Sequence, residues 1–187
     1  MRIIQGEARG RKLVEPRDAS VRPPLARIRE SIFSLLGGMF EGGGALDLFA
    51  GVGSFGLEAL SRGARRATFV DSAPKSIALL EKNIANLGFG PRSTVLRGDA
   101  LRTPDLDRQA EGEFAVVFLD PPFKMFDDPA EADRVFSRVR EVLASRTLLP
   151  EGRVVLRHPS RFRGDPPIPP RERRKYGEST VLVFGPG

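Results

Sequence analysis

The chain's 187 residues predict an α/β fold with a doubly wound, mostly parallel sheet. Three observations carry this expectation. From residue 45 onward, short apolar runs alternate with segments of helical periodicity, a glycine-rich turn follows the first run, and aspartates recur just past the ends of successive runs. Alternation of this kind needs crossover connections, which bring each strand back parallel and place helices on both faces of the sheet.

Residues 2–4 and 11–14 read as the arms of a short hairpin whose turn, near Glu7-Ala8-Arg9-Gly10, is basic. After Arg22-Pro23-Pro24, the residues Leu25, Ile28, Ile32, Leu35 and Leu36 recur at helical spacing among Arg27, Arg29 and Glu30. This predicts an amphipathic helix opened by proline and closed by Gly37-Gly38. Gly42-Gly43-Gly44 reads as a flexible joint, dividing an N-terminal extension over 1–44 from a main domain over 45–187. In the main domain, strands are predicted over 45–49, 67–70, 93–96 and 114–119, with later ones over 153–156 and 181–184. Helices are predicted over 55–61, 74–87 and 130–143. The helix over 74–87 carries Ile77, Leu80, Ile84 and Leu87 on one face and ends at Gly88. The helix over 130–143, opened by Asp128 and Pro129, is expected to bury Ala132, Val135, Phe136, Val139 and Leu143. Asp165-Pro166-Pro167-Ile168-Pro169-Pro170 can neither donate into a ladder nor form a helix, so it reads as a stiff surface connection.

Composition narrows the function classes. The chain has no cysteine, which excludes disulfides, thiolate metal sites and cysteine nucleophiles, and one histidine, which leaves little basis for a histidine metal cluster. No run approaches the roughly 18 apolar residues that span a bilayer, and the first six residues lack a signal-peptide core, so a cytoplasmic protein is expected. The net charge of +6 is unevenly spread. Residues 1–36 hold eight Arg and Lys against four acids, and residues 153–175 hold eight against two. Basic flanks around an acidic middle suit a polyanion partner, with a generally arginine-rich surface as the bland alternative.

The chemistry concentrates at strand ends. Gly51-Val52-Gly53-Ser54-Phe55-Gly56 matches G-x-G-x-x-G at the first strand-to-helix turn, where glycines let a ligand approach the backbone. Asp71, 20 residues after Gly51, ends the next strand and can accept both hydroxyls of a ribose. A nicotinamide dehydrogenase and a methyltransferase share this pattern. A carboxylate just before the turn, Asp47, suits the amino end of a methionine. Asp99 with Ala100 follows the third strand and can serve an adenine amine, or act as a turn residue. Asp120-Pro121-Pro122-Phe123 closes the apolar run 114–119, setting oxygen acceptors beside a flat ring. That combination suits a planar base with an exocyclic amine; a plain proline turn is the alternative. His158, Lys124 and Phe126 are weaker candidates for the cleft and its rim.

The pattern D-x-F-x-G-x-G is present as Asp47, Phe49, Gly51 and Gly53, and with Asp71, Asp99 and Asp120 the chain resembles the amino-methyltransferases. More closely it resembles the RsmD-type methyltransferases of bacterial small-subunit (16S) ribosomal RNA. The resemblance extends through Gly10-Arg11-Lys12-Leu13, Arg22-Pro23, 27–33, 57–64 and Lys175-Tyr176-Gly177, and departs at Pro24, where the family often has threonine. It implies a class I methyltransferase sheet with an antiparallel last strand, and S-adenosylmethionine held by Asp47, Phe49, Gly51, Gly53, Asp71, Ser72, Asp99 and Ala100. It implies methyl transfer to a guanine N2, with Asp120, Pro121, Pro122 and Phe123 at the base and no metal. The expected partner is 16S ribosomal RNA in a small-subunit particle or assembly intermediate, and the chain is expected to be a monomer with no membrane contact. Arg9, Arg11 and Lys12 at a projecting hairpin tip, with Arg22 and Arg27, are the expected phosphate contacts. The rival readings are an adenine-N6 nucleic-acid methyltransferase, a nicotinamide-dependent oxidoreductase and a non-catalytic RNA-binding module.

Overall fold

The computed structural model describes residues 1–16, 24–38, 40, 42–102 and 114–185. A seven-stranded sheet runs through it, formed by β1 (Gly44–Leu48), β2 (Ala67–Asp71), β3 (Ser93–Arg97), β4 (Phe114–Leu119), β5 (Leu148–Pro159), β6 (Glu172–Tyr176) and β7 (Ser179–Phe184). The strand order is β3-β2-β1-β4-β5-β7-β6. The first five strands pair in parallel, and β7 lies antiparallel to both β5 and β6. The chain winds outward from β1 through β2 to β3, then returns to place β4 on the other side of β1. The winding therefore reverses between β1 and β4, which is where ligands bind in open sheets of this kind.

Side chains alternate across each strand, so both faces of the sheet need cover. On one face, α1 (Pro24–Leu35), α2 (Gly56–Ser61) and α3 (Pro74–Leu87) bring Ile28, Ile32, Phe33, Leu57, Leu60 and Leu80 onto Phe69, Val116, Phe118 and Val155. On the other, α4 (Pro129–Ala144) packs Val135, Phe136 and Val139 against Leu46, Leu48, Val117, Leu119 and Leu156. Val142 takes the buried place expected of Leu143, and Leu143 is only partly covered. The caps follow the sequence: Asp128 accepts from the Ala130 N–H at the start of α4, and Gly88, at φ 76°, closes α3.

Four features differ from expectation. Gly43 and Gly44 do not form a flexible joint, because both are buried and Gly44 is the first residue of β1. A Cβ on Gly43 would stand 2.4 Å from the Ala115 Cβ, so the backbones of the two strands meet where only glycine fits. The N-terminal hairpin is narrower than predicted, with one bridge, Arg2 to Lys12. Its tip does not project either: the Glu7 and Ala8 N–H groups donate to the carbonyl and hydroxyl of Ser61 on α2. Finally, β6 is a strand the sequence does not announce, since Glu172-Arg173-Arg174-Lys175-Tyr176 is an edge with almost no apolar content.

The extension is tied to the body by a buried carboxylate. Glu58 on α2 accepts from the Ile4 and Gln5 N–H groups at 2.8 and 3.0 Å and from Arg62 Nε at 2.7 Å, with Arg29 Nε 3.7 Å away. All three charged side chains are almost wholly buried. Burial lowers the Arg29 pKa and the Glu58 charge opposes that shift. Removing the carboxylate strands two cations and two amide donors, so Glu58→Ala is expected to lower unfolding free energy by about 3–5 kcal/mol in urea denaturation at pH 7. In the same variant, hydrogen exchange at Ile4 and Gln5 should accelerate before exchange in β1. Unchanged exchange there would show that the extension is held by other contacts.

Candidate active site

Parallel register delivers the site. Asp47 pairs with Phe69 and Phe118, one residue short of the strand end, while Asp71 and Asp120 stand at the ends of β2 and β4. Asp99 follows β3 by two residues. A cavity of about 1220 Å³ opens along this edge. It is lined by Phe49, Gly51, Asp71, Ser72, Asp99 and Ala100 from the predicted cofactor set, and by all four residues of Asp120-Pro121-Pro122-Phe123.

Two predicted residues, Asp47 and Gly53, stand behind that wall rather than on it. Asp47 Oδ2 accepts from the Gly56 N–H at 2.9 Å, and its Oδ1 is buried with no hydrogen-bond partner. Burial raises the Asp47 carboxyl well above the usual carboxylate range, the Gly56 N–H opposes the shift, and the charges of Asp120 and Asp71 add to it. Gly53, at φ 85°, would bring a Cβ to 2.4 Å from Leu80 and so belongs to helix packing. Gly51 differs: at φ 56°, a Cβ there would meet nothing within 4 Å. The turn is thus closed on its inner side and open toward the cavity. Phe49 holds φ at 66°, a left-handed conformation that non-glycine residues seldom adopt and that marks the end of β1 as a constrained position.

The Asp71 oxygens accept from the Gly51 and Ala73 N–H groups at 2.7 and 2.8 Å, which binds the end of β2 to the glycine turn. Asp99 makes an Asx-type bond to the Leu101 N–H at 2.9 Å and lies 3.5 Å from Arg134. Asp99 is therefore a turn residue that also lines the cavity. Asp120 is engaged by a residue the sequence does not nominate. Arg157, near the end of β5, donates from Nε to Oδ1 at 2.6 Å and from Nη2 to Oδ2 at 3.0 Å, and its guanidinium carbon lies 4.6 Å from the centroid of the Phe123 ring. Arg157 and Asp120 are 37 positions apart, so no local pattern joins them.

The remaining candidates separate. Arg27 lines the cavity beside Ile28, bringing α1 into the wall, and Tyr176 to Ser179 contribute the β6–β7 turn. Arg9 and Lys12 are exposed but lie outside the cavity lining, and Arg11 donates to the Asn86 and Leu87 carbonyls at the C-terminus of α3. Arg22 lies outside the described residues. His158 does not face the cleft; it is buried against Phe126 and Phe162, its Nδ1 3.0 Å from the Pro159 carbonyl. Burial lowers its pKa, with the Pro159 contact opposing. Phe126 is a core residue rather than a rim residue, and Lys124 is an exposed residue of the short 3-10 turn Phe123–Phe126, outside the lining. Among the described residues, no group of three or more His, Asp or Glu side chains is placed to hold a metal ion.

Comparison with known proteins bears on this arrangement. The family model described as conserved hypothetical protein 95 matches residues 1–185. YlbH of Bacillus subtilis (strain 168) is 42% identical over 124 residues, covering 66% of this chain and 67% of that protein. Ribosomal RNA small subunit methyltransferase D of Escherichia coli (strain K12) is 39% identical over 124 residues, a match that spans 66% of this chain and 61% of that protein. Among solved structures, a hypothetical protein of Thermus thermophilus superposes with a TM-score of 0.78 at 33% identity, covering 99% of each chain. A family match over 185 positions, a shared fold along the whole chain and this identity to methyltransferase D agree with one another: the chain belongs to the RsmD family.

Proposed function

We propose that this chain transfers a methyl group from S-adenosylmethionine to the exocyclic N2 of a guanine in small-subunit (16S) ribosomal RNA. The observation that carries the reading is the meeting, in one cavity, of the glycine turn after β1 and the Asp120–Phe123 segment after β4. The E. coli relative is by its name a methyltransferase of small-subunit ribosomal RNA, which supports the same substrate class here.

The residues fit the cofactor. Each Asp71 oxygen holds one backbone N–H and keeps lone-pair capacity for a ribose hydroxyl. Asp99 and the Ala100 backbone stand at the next strand end for the adenine, beside Ser72. Gly51 leaves open space on the cavity side. Asp47 stands behind the turn, where a buried carboxylate with one unpartnered oxygen favours a cationic amino group in front of it. When bound, S-adenosylmethionine supplies a methyl group on a positively charged sulfur, so alignment is the main demand on the protein.

The protein's own work is on the base. A guanine N2 lone pair is delocalised into the ring and is a poor nucleophile. Asp120 accepts one of its N–H groups and the Pro121 carbonyl the other, which draws the nitrogen toward a pyramidal geometry and frees the lone pair. Phe123 stacks the base, and a nucleotide in an RNA loop reaches it at little unstacking cost. The surplus proton on nitrogen passes to Asp120. Segment 1–44 serves as the RNA-binding extension of the catalytic body at 45–187. Arg27 at the cavity mouth, with exposed Arg9 and Lys12, supplies phosphate contacts. Arg11, held by α3, acts on the fold instead.

Asp120→Ala is expected to lower turnover on small-subunit ribosomal RNA at least about 100-fold, the scale of a lost proton acceptor, while calorimetric binding of S-adenosylmethionine persists. Nucleoside mass spectrometry of ribosomal RNA from a strain lacking the gene should show one N2-methylguanosine missing, restored by the native chain and not by the variant. Restoration by Asp120→Ala would overturn the mechanism.

A second outcome concerns Asp47. Its folded pKa lies above the unfolded value of about 3.9, so this group's stabilising contribution is full below about pH 4 and is lost as pH rises through the folded value. Asp47→Asn should therefore unfold at a higher temperature than the native chain at pH 7, with the gap closing toward pH 4, and should bind S-adenosylmethionine more weakly. A pH-independent gap would show that Asp47 is ionised at no cost.

A further inference from the structure

Asp120 and Phe123 are two of the three groups that the proposed function gives to the target base, and Arg157 holds both of them. Its Nε and Nη2 donate side by side to the two Asp120 oxygens, its guanidinium carbon lies over the Phe123 ring, and Nη1 donates to Ser179 Oγ at 3.2 Å. The pair is partly withdrawn from water, with side-chain exposures of 15% for Arg157 and 19% for Asp120. The guanidinium is a chemically informative occupant. A guanine carries the same unit in its Watson–Crick edge, where N1–H and N2–H lie adjacent in the ring plane and face one way. Adenine and cytosine do not: beside their exocyclic N–H stands a ring nitrogen with a lone pair.

We propose that Asp120 tells guanine from other bases by accepting N1–H and N2–H together on its two oxygens, and that Arg157 occupies this acceptor pair and the Phe123 face until the base replaces it. The inference rests on the assignment of Asp120 and Phe123 to the base. The Arg157 contact shows that both carboxylate oxygens are turned toward one planar pair of donors over the ring. A guanine restores both hydrogen bonds and the stack. An adenine restores one hydrogen bond and sets its N1 lone pair against the second oxygen, a repulsive contact. The two parts of the proposal have separable effects. Competition by Arg157 weakens every base by the same factor, because it acts before any base is bound. Discrimination among bases belongs to Asp120 alone.

Binding of guanosine, 1-methylguanosine and adenosine to the full chain tests this, with saturating S-adenosylhomocysteine present so that adenosine is kept from the cofactor side. Arg157→Leu is expected to bind guanosine about tenfold tighter than the native chain, the scale of one bidentate contact. Arg157→Lys, which keeps a charge but has no planar fork, should fall between them. In every form, guanosine should exceed 1-methylguanosine and adenosine by about tenfold, on the same scale. Thermal unfolding of each variant identifies any that fail to fold, and the Lys variant carries the test if Leu does. Guanosine affinity unmoved in the folded variants would overturn the role of Arg157, and 1-methylguanosine binding as well as guanosine would overturn the reading of N1–H. Guanosine binding to none of the forms overturns the inference as a whole, whereas absence of N2-methylguanosine formation in RNA by the native chain would overturn the proposed function beneath it.

Discussion

The parallel register of β1, β2, β3 and β4 is the constraint on which the rest depends. Parallel strands end together, so residues placed just past each strand are brought to one edge whatever their distance in sequence. Leu48 pairs with Val70 and Leu119, so the residues that follow β1, β2 and β4 leave the sheet at the same level. The winding reversal between β1 and β4 then opens a crevice there, because the connections diverge to opposite sides. One geometric rule thus produces both the cavity and the carboxylates around it. Gly43 belongs to the same constraint, since β1 and β4 approach closely beside Ala115 only where no side chain intervenes.

Gathering carboxylates at one edge has an electrostatic consequence. The charges of Asp120 and Asp71 both push the Asp47 carboxyl upward. The structure answers in two ways. Asp120 is matched by the Arg157 fork, and Asp71 is matched by two backbone N–H groups. Asp47 has one amide and no cation, and it remains the uncompensated member. An edge arranged in this way favours cationic ligands near the glycine turn and donor-rich ligands near β4. Those are the two chemistries that a sulfonium cofactor and an exocyclic amine present.

Asp71 and Asp120 are legible in the sequence because each sits immediately after an apolar run, and burial of the run fixes where the aspartate emerges. The glycine turn is legible for the same reason, although its three glycines differ in the fold: Gly51 faces the cavity, while Gly53 and Gly56 make room for Leu80 and Phe69. Arg157 escapes a sequence reading because its role is set by β4–β5 pairing and by a partner 37 residues away. Its one signal is position, a charged residue directly after the apolar run 154–156, the same placement that marks Asp71 and Asp120. β6 escapes because an edge strand needs no apolar face, and its alternation is masked by Arg173, Arg174 and Lys175. The hairpin tip misleads because its basic charge suggests solvent, whereas Ser61 takes its backbone donors and Ala8 is buried.

That docking changes how the extension relates to the site. Asn83 on α3 accepts from the Val14 N–H at 2.7 Å and donates to both the Val14 and Val52 carbonyls at 3.1 Å. One buried side chain therefore joins the N-terminal segment to the glycine turn. Further along, Ile28 and Arg27 of α1 reach the cavity wall. Glu58 holds Ile4 and Gln5 from beneath. The N-terminal segment is thus fastened at its start and beside the glycine turn, and α1 forms part of the wall. Arg27 and Ile28 stand in the same cavity wall as Asp120 and Phe123. A buried carboxylate and a buried amide, rather than a basic tip, are what fasten Ile4, Gln5 and Val14 beside the glycine turn and its helix.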